Sequence, residues 1–332
     1  MKRWKIYLTI TITMMVTMVF SGCGSEPESK EYERAYPEII RGFWMPALAS
    51  HPIGGKQAHS VDEPETIREF HANLAAFAAP LQYNDQGEIE LSHFEKSLPT
   101  VRSLIEEYHL NDISVFLTIE PQMGRGEPGP IPESISRNDE FISRYDSCLE
   151  KLVTLAEEEK VEYFAPMNEP DYKMESEIAD IWSKRMLPIV QKVFTGRIVY
   201  KGSLSQALQD GKKPALSGYS YVGFSSSPWN SNMEEYRQSV REELQTFLEW
   251  SKEDNFEPMI TEFGIWGSGQ NIPEEKKAEA LAIVFEEGRQ NGIKTFIVFD
   301  SPLGAYTQIK RTVLEQEVKE HFLWLEQNES ES

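Results

Sequence analysis

The sequence predicts an α/β protein built as a single closed (β/α)8 barrel, and three observations carry that prediction. Eight short apolar runs alternate with longer segments of 3.6-residue periodicity across residues 38–328. No linker or change of composition divides that block. No glycine-rich phosphate loop follows the first run, so the competing doubly wound sheet lacks its usual nucleotide signature. At 332 residues, 40% of them hydrophobic, the chain can also bury a sizeable core.

The strands are expected at Ile39–Met45, Leu74–Leu81, Ser114–Ile119, Tyr163–Met167, Ile198–Tyr200, Tyr221–Phe224, Met259–Thr261 and Phe296–Phe299. A short helix, Glu65–Ala72, follows the first strand, and Leu91–Tyr108 follows the second. Asn138–Glu159 and Glu175–Phe194 come next, with a weaker helical pattern at Leu204–Gly211 after the fifth strand. Met233–Ser251, Pro273–Gln290 and Val313–Glu326 complete the set. The clearest helix begins with Pro273 and two glutamates, which suit a helix N-terminus, and stops just before Gly292.

Charge and leader restrict the setting. Lys plus Arg total 33 against 54 Asp plus Glu, a net charge of −21, so the chain lacks the cationic surface that a nucleic-acid partner needs. Two cysteines cannot build a disulfide framework. Lys2, Arg3 and Lys5 precede an apolar run from Ile6 to Phe20 that is short for a membrane span. Phe20-Ser21-Gly22-Cys23 resembles a bacterial-type lipobox, which implies a signal peptide over 1–22 and an acylated Cys23. The alternative is an uncleaved anchor; both place the domain outside the cytoplasm, at the membrane. Polar residues 23–37 then read as a flexible tether, 38–328 as the barrel and 329–332 as a disordered tail. Cys148, in a helical stretch, reads as a small buried side chain.

A barrel of this class carries its chemistry at the C-terminal ends of its strands. The fourth strand runs into YFAPMNEPD, which puts Asn168 and Glu169 there, and the seventh runs into PMITEFGIWG, which puts Glu262 there. A carboxylate ending an apolar run is costly unless partners or a task hold it. Two such groups about 5–5.5 Å apart across the mouth are what retaining glycoside hydrolysis requires.

Asn-Glu-Pro after the fourth strand with a second Glu after the seventh resembles the clan A retaining glycosidases, which include cellulases, β-mannanases, endo-β-galactanases and β-galactosidases. The resemblance implies that Glu169 is the acid/base and Glu262 the nucleophile, and that Asn168 bonds the sugar 2-hydroxyl. It further implies a carbohydrate substrate, with mannan or galactan first in view, and a protonated Glu169 beside an ionised Glu262. The chain departs from the clan in places. Ser225–Ser227 stand where many members carry a tyrosine after the sixth strand, leaving Tyr219 or Tyr221 as substitutes. The arginine near the second strand and the tryptophan at the eighth are absent from Ala79–Gln82 and Phe299–Asp300.

Other rim residues have two readings each. Trp44, Trp229 and Trp266 follow strands one, six and seven, where a ring either stacks on a sugar or packs a loop. Glu120 and Asp300 end strands three and eight; each either binds hydroxyls and tunes the pair or pairs with a cation. Gln82 and Tyr83 are candidate hydroxyl ligands. The loops His51–Pro64 and Pro121–Glu133 are long enough to wall a cleft. No histidine pair has ligand spacing and no Gly-x-Ser-x-Gly elbow occurs, so neither metal nor cofactor is expected. The competing function is a lipoprotein that binds glycan or solute without catalysis.

Overall fold

The computed structural model describes residues 32–46, 48–49, 59–124, 129–226, 232–264, 272–300 and 309–329. Eight parallel strands close in chain order: β1 (Ile40–Trp44), β2 (Leu74–Tyr83), β3 (Ser114–Met123), β4 (Tyr163–Ala165), β5 (Arg197–Ser203), β6 (Tyr221–Ser226), β7 (Glu257–Phe263) and β8 (Thr295–Phe299), with β8 pairing back to β1. This is a single TIM barrel, as the strand–helix alternation predicts.

Around it run α1 (Pro64–Glu69), α2 (Leu91–His109), α3 (Glu133–Ser136), α4 (Asp139–Glu158), α5 (Pro170–Lys173), α6 (Ser176–Gln191), α7 (Leu204–Gln209), α8 (Met233–Asp254), α9 (Glu274–Gln290) and α10 (Val313–Gln327). Local chemistry sets several boundaries. The Asn138 side chain accepts the amides of Glu140 and Phe141 at the start of α4, and Asn232 does the same for Glu234 at the start of α8. Pro273 sits one residue ahead of its expected place, as the cap of α9, and Gly292 follows that helix with φ 76°.

Strand alternation sorts the side chains. Ile40, Trp44, Leu74, Ala76, Ala78, Phe116, Tyr163, Ala165, Val199, Met259, Ile297 and Phe299 form one buried cluster, the barrel interior. Their sequence neighbours join a larger cluster beneath the helices, which includes Cys148. The small residues in β1, β2, β4 and β6 leave room at the centre for long side chains from β3, β5 and β7. Gly223 is one such place, since a Cβ there would overlap the Thr261 side chain.

Three differences from the sequence reading matter for the site. β2 and β3 extend to Tyr83 and Met123, pairing as far as Gln82 with Gln122. β4 stops at Ala165, and the chain returns to the sheet through a bridge between Asn168 and Lys201. The packed domain also begins before residue 38. The Arg34 guanidinium donates to the Val161 carbonyl at 2.7 Å and pairs with Glu157 at 2.6 Å, and Arg197 lies 4.2 Å from the Tyr36 ring centroid. These contacts close the N-terminal end of the barrel.

Replacing Gly223 with Ala is expected to destabilise the fold by about 1–3 kcal/mol through overpacking against Thr261. Urea unfolding of the variant beside the parent checks this.

Candidate active site

Glu169 reaches the mouth by a sharp turn. Its backbone is left-handed (φ 48°, ψ 59°), and its amide donates to the Lys201 carbonyl at 2.8 Å. Pro170 then starts α5, and the carbonyl of Glu169 accepts the Lys173 amide at 2.9 Å. Such a conformation costs a non-glycine residue about 1–3 kcal/mol and persists only where surrounding bonds impose it. Asp171 supplies two of them, with both carboxylate oxygens accepting the Ser203 amide at 2.9 and 3.0 Å. Burial pushes the Asp171 carboxyl up to about 8 despite that donor.

Glu262 reaches the same mouth by a different device. Between β6 and β7 the register passes from Phe224 opposite Ile260 to Ser225 opposite Glu262, so Thr261 is an extra residue. A bulge re-aims the side chains after it. Thr261 lies against Gly223, and Glu262, next in sequence, also turns inward to meet Lys201.

The polar side chains form a continuous chain across four strands. Lys173 Nζ lies 2.5 Å from Glu120 Oε1, and Asn168 Nδ2 donates to Glu120 Oε2 at 2.5 Å. Lys201 Nζ donates to Asn168 Oδ1 and to Glu262 Oε2, both at 2.6 Å. The same ammonium lies 4.3 Å from the centroid of the Trp44 ring. Ser225 Oγ donates to Glu169 Oε1. Of the two candidate catalytic carboxylates, Glu169 is partly exposed and Glu262 is 2% exposed.

Charge follows burial. Burial pushes the Glu262 carboxyl up to about 8, with Lys201 pulling it down and Glu169 and Glu120 adding repulsion. Burial also raises Glu120, against the pull of Lys173. The sequence reading expected Glu262 to be ionised; burial instead raises its carboxyl.

Of the sequence-predicted residues, Glu169, Glu262, Asn168, Glu120 and Trp44 come together. Trp44 does so as the buried partner of a cation rather than as an exposed platform. Gln82 lies on the inward alternation of β2, two residues beyond Pro80, which pairs with Glu120. Tyr221 is not brought to the site. It begins β6 at the opposite end, 4.9 Å from Arg197 by its ring centroid. Tyr219 donates to the Ser183 carbonyl outside the barrel, and Tyr83 packs edge-on against Phe141. Asp300 is buried and occupied: it accepts the Ser60 amide and hydroxyl and the Ile309 amide, and so ties two loops together. Trp229, Trp266 and Cys23 lie outside the described residues, as do His51–Ala58 and residues 125–128 of the two long loops. Among the described residues no group of three or more His, Cys, Asp and Glu side chains is arranged to hold a metal ion.

Sequence reasoning missed Lys201 and Lys173. Lys201 ends an apolar run just as Glu120 and Glu262 do, and the rule that flags buried carboxylates flags buried ammoniums equally.

Removing Lys173 strands Glu120 as an unpaired buried carboxylate, so Lys173→Met is expected to cost about 3–5 kcal/mol at pH 7.5. Burial raises the Glu120 carboxyl, so protonation relieves the cost as pH falls. Urea unfolding should therefore show a smaller difference from the parent at pH 5 than at pH 7.5.

No family model and no curated protein sequence matches the chain. Solved structures do resemble it. A glycoside hydrolase family 113 β-1,4-mannanase aligns with TM-score 0.67 and 13% identity over 87% of this chain and 99% of its own. Thermotoga maritima Cel5A in complex with mannotriose gives 0.64 and 15% over 86% of this chain and 97% of its own. A family 5 mannosidase from Rhizomucor miehei gives 0.65 and 12% over 92% of this chain and 98% of its own. At these identities the likeness is one of fold: the chain shares its barrel with glycoside hydrolases.

Proposed function

We propose that the protein is a retaining β-glycoside hydrolase acting by double displacement on a β-linked polysaccharide or oligosaccharide such as mannan or galactan. One observation carries this reading: carboxylates from the ends of β4 and β7 share one mouth, each held by its own donor, Ser225 for Glu169 and Lys201 for Glu262. Structural neighbours described as β-1,4-mannanases and a mannosidase make β-mannan the first substrate to try.

Glu169 is the acid/base. It is the less buried of the two, beside a serine hydroxyl that keeps one oxygen in place. Its proton passes to the glycosidic oxygen as the bond from that oxygen to the anomeric carbon breaks. A Glu262 oxygen forms the new bond to that carbon, giving a glycosyl ester. Water then attacks the anomeric carbon and yields its proton to Glu169, while the ester bond breaks and Glu262 regains its charge. The Asn168 amide, with one hydrogen on Glu120, keeps a second for a sugar hydroxyl.

The same reading extends to location. The basic and apolar leader ending at Cys23 supports an exported, lipid-anchored enzyme working on glycans outside the cytoplasm. No helix among the described residues is long and apolar enough to cross a membrane.

Two experiments test the proposal. The protein is assayed against β-mannan, β-galactan, β-glucan and aryl β-glycosides beside Glu169→Ala and Glu262→Ala. Cleavage that falls at least a thousandfold in both variants supports it, and cleavage that survives Glu262→Ala contradicts it. Attack needs an ionised Glu262, whose carboxyl burial pushes up to about 8. Because Glu169 must keep its proton in the same step, kcat/KM should carry one limb near pH 8, and a profile with both limbs below pH 6 would contradict this assignment.

A further inference from the structure

Lys201 is 1% exposed at the end of β5, on a strand that supplies neither of the proposed catalytic carboxylates. Its ammonium has three hydrogens and three acceptors: Glu262 Oε2, Asn168 Oδ1 and the face of Trp44. Resting on the glycosidase reading above, we infer that Lys201 is a positioning residue of the reaction: it aims one oxygen of Glu262, favours the ionised form that attacks, and fixes the amide orientation of Asn168.

The surroundings leave the task to Lys201. Among the described residues the charged groups that act on Glu262 are Lys201 from β5, Glu169 beyond β4 and Glu120 from β3, one positive and two negative. Without the lysine, Glu262 would lie buried among like charges and hold a proton, and a protonated carboxyl is a poor nucleophile. Ser225, which lies opposite Glu262 across the β6–β7 pairing, does not serve it, because its hydroxyl bonds Glu169. Among the described residues, Lys201 is the side-chain donor to Glu262.

Lys201 also suits both halves of the cycle. When Glu262 becomes an ester its charge is spent, and the ammonium keeps Asn168 Oδ1 and the Trp44 face as partners. When water cleaves the ester, the departing carboxylate returns to the ion pair. The lysine thus stabilises the leaving group of the second step. Its grip on Oδ1 directs Asn168 Nδ2 towards Glu120, so one contact sets the orientation of two residues that meet the sugar.

The test compares Lys201→Met with the parent by two readouts, the pH profile of kcat/KM and a carbon-13 titration of the Glu262 carboxyl, assigned by its loss in Glu262→Gln. The expected result is a Glu262 titration, and the matching limb of the pH profile, displaced upward by one pH unit or more. kcat/KM should fall at least 100-fold at pH 7, and that deficit should shrink as pH rises. An unmoved titration would overturn the inference however far the rate falls, because a merely structural lysine lowers stability without moving it. If Lys201→Met folds poorly, Lys201→Gln gives the same reading, since it keeps a donor and removes the charge. The titration needs no turnover. An upward shift in a protein that cleaves no glycan would therefore refute the proposed function while leaving the role of Lys201 intact.

Discussion

The ion pair between Lys201 and Glu262 lets a buried carboxyl group lie at the mouth of a barrel whose interior below it is largely apolar. A buried anion without a partner is driven to take up a proton, and a buried cation without one is no cheaper. Here each solves the other's problem at 2.6 Å, and the Trp44 ring and the Asn168 amide absorb what remains of the ammonium's demand. The Glu120–Lys173 pair repeats the arrangement at the end of β3, and Asn168 links the two. Glu169 lies beside this line rather than within it, bonded among the described side chains to Ser225, and is the more open to solvent. In the proposed double displacement Glu262 would be the fixed, buried nucleophile and Glu169 the more open acid/base.

The barrel makes that arrangement possible through two local departures from regularity. Strict alternation from Met259 would send Glu262 to the helix side, and the extra residue at Thr261 brings it back. Strict extension of β4 would carry Glu169 past the mouth, and a left-handed turn before Pro170 stops it there. Each irregularity is held by neighbours. Gly223 makes room for Thr261, and Asp171 binds the turn to the Ser203 amide. Strain and bulges thus occur where the chain must aim a functional side chain.

The fold and half of the site were legible in the sequence because both follow from where apolar runs begin and end. All eight strands were found this way, and so were Glu120, Asn168, Glu169 and Glu262. The failures share a cause, which is that a run's end does not reveal the face. Asp300 and Glu120 gave the same signal, yet Glu120 shares the inward alternation of Phe116 while Asp300 follows the inward Phe299 and turns to the loops. Tyr221 was offered for the mouth, yet it opens its strand rather than closing it. Lys201 escaped because the fifth run was read as stopping at Tyr200 and only acids were sought beyond it.

The central claim is that Glu262 forms a covalent bond to the sugar while Glu169 exchanges protons. A 2-deoxy-2-fluoro-β-glycosyl fluoride slows both steps but keeps a good leaving group, so a glycosyl ester accumulates. Incubation with the manno and galacto forms of that reagent, followed by peptide mass spectrometry, should show one fluoroglycosyl unit on the peptide that contains Glu262. A folded protein that acquires no label, or carries it on any other residue, would contradict the account.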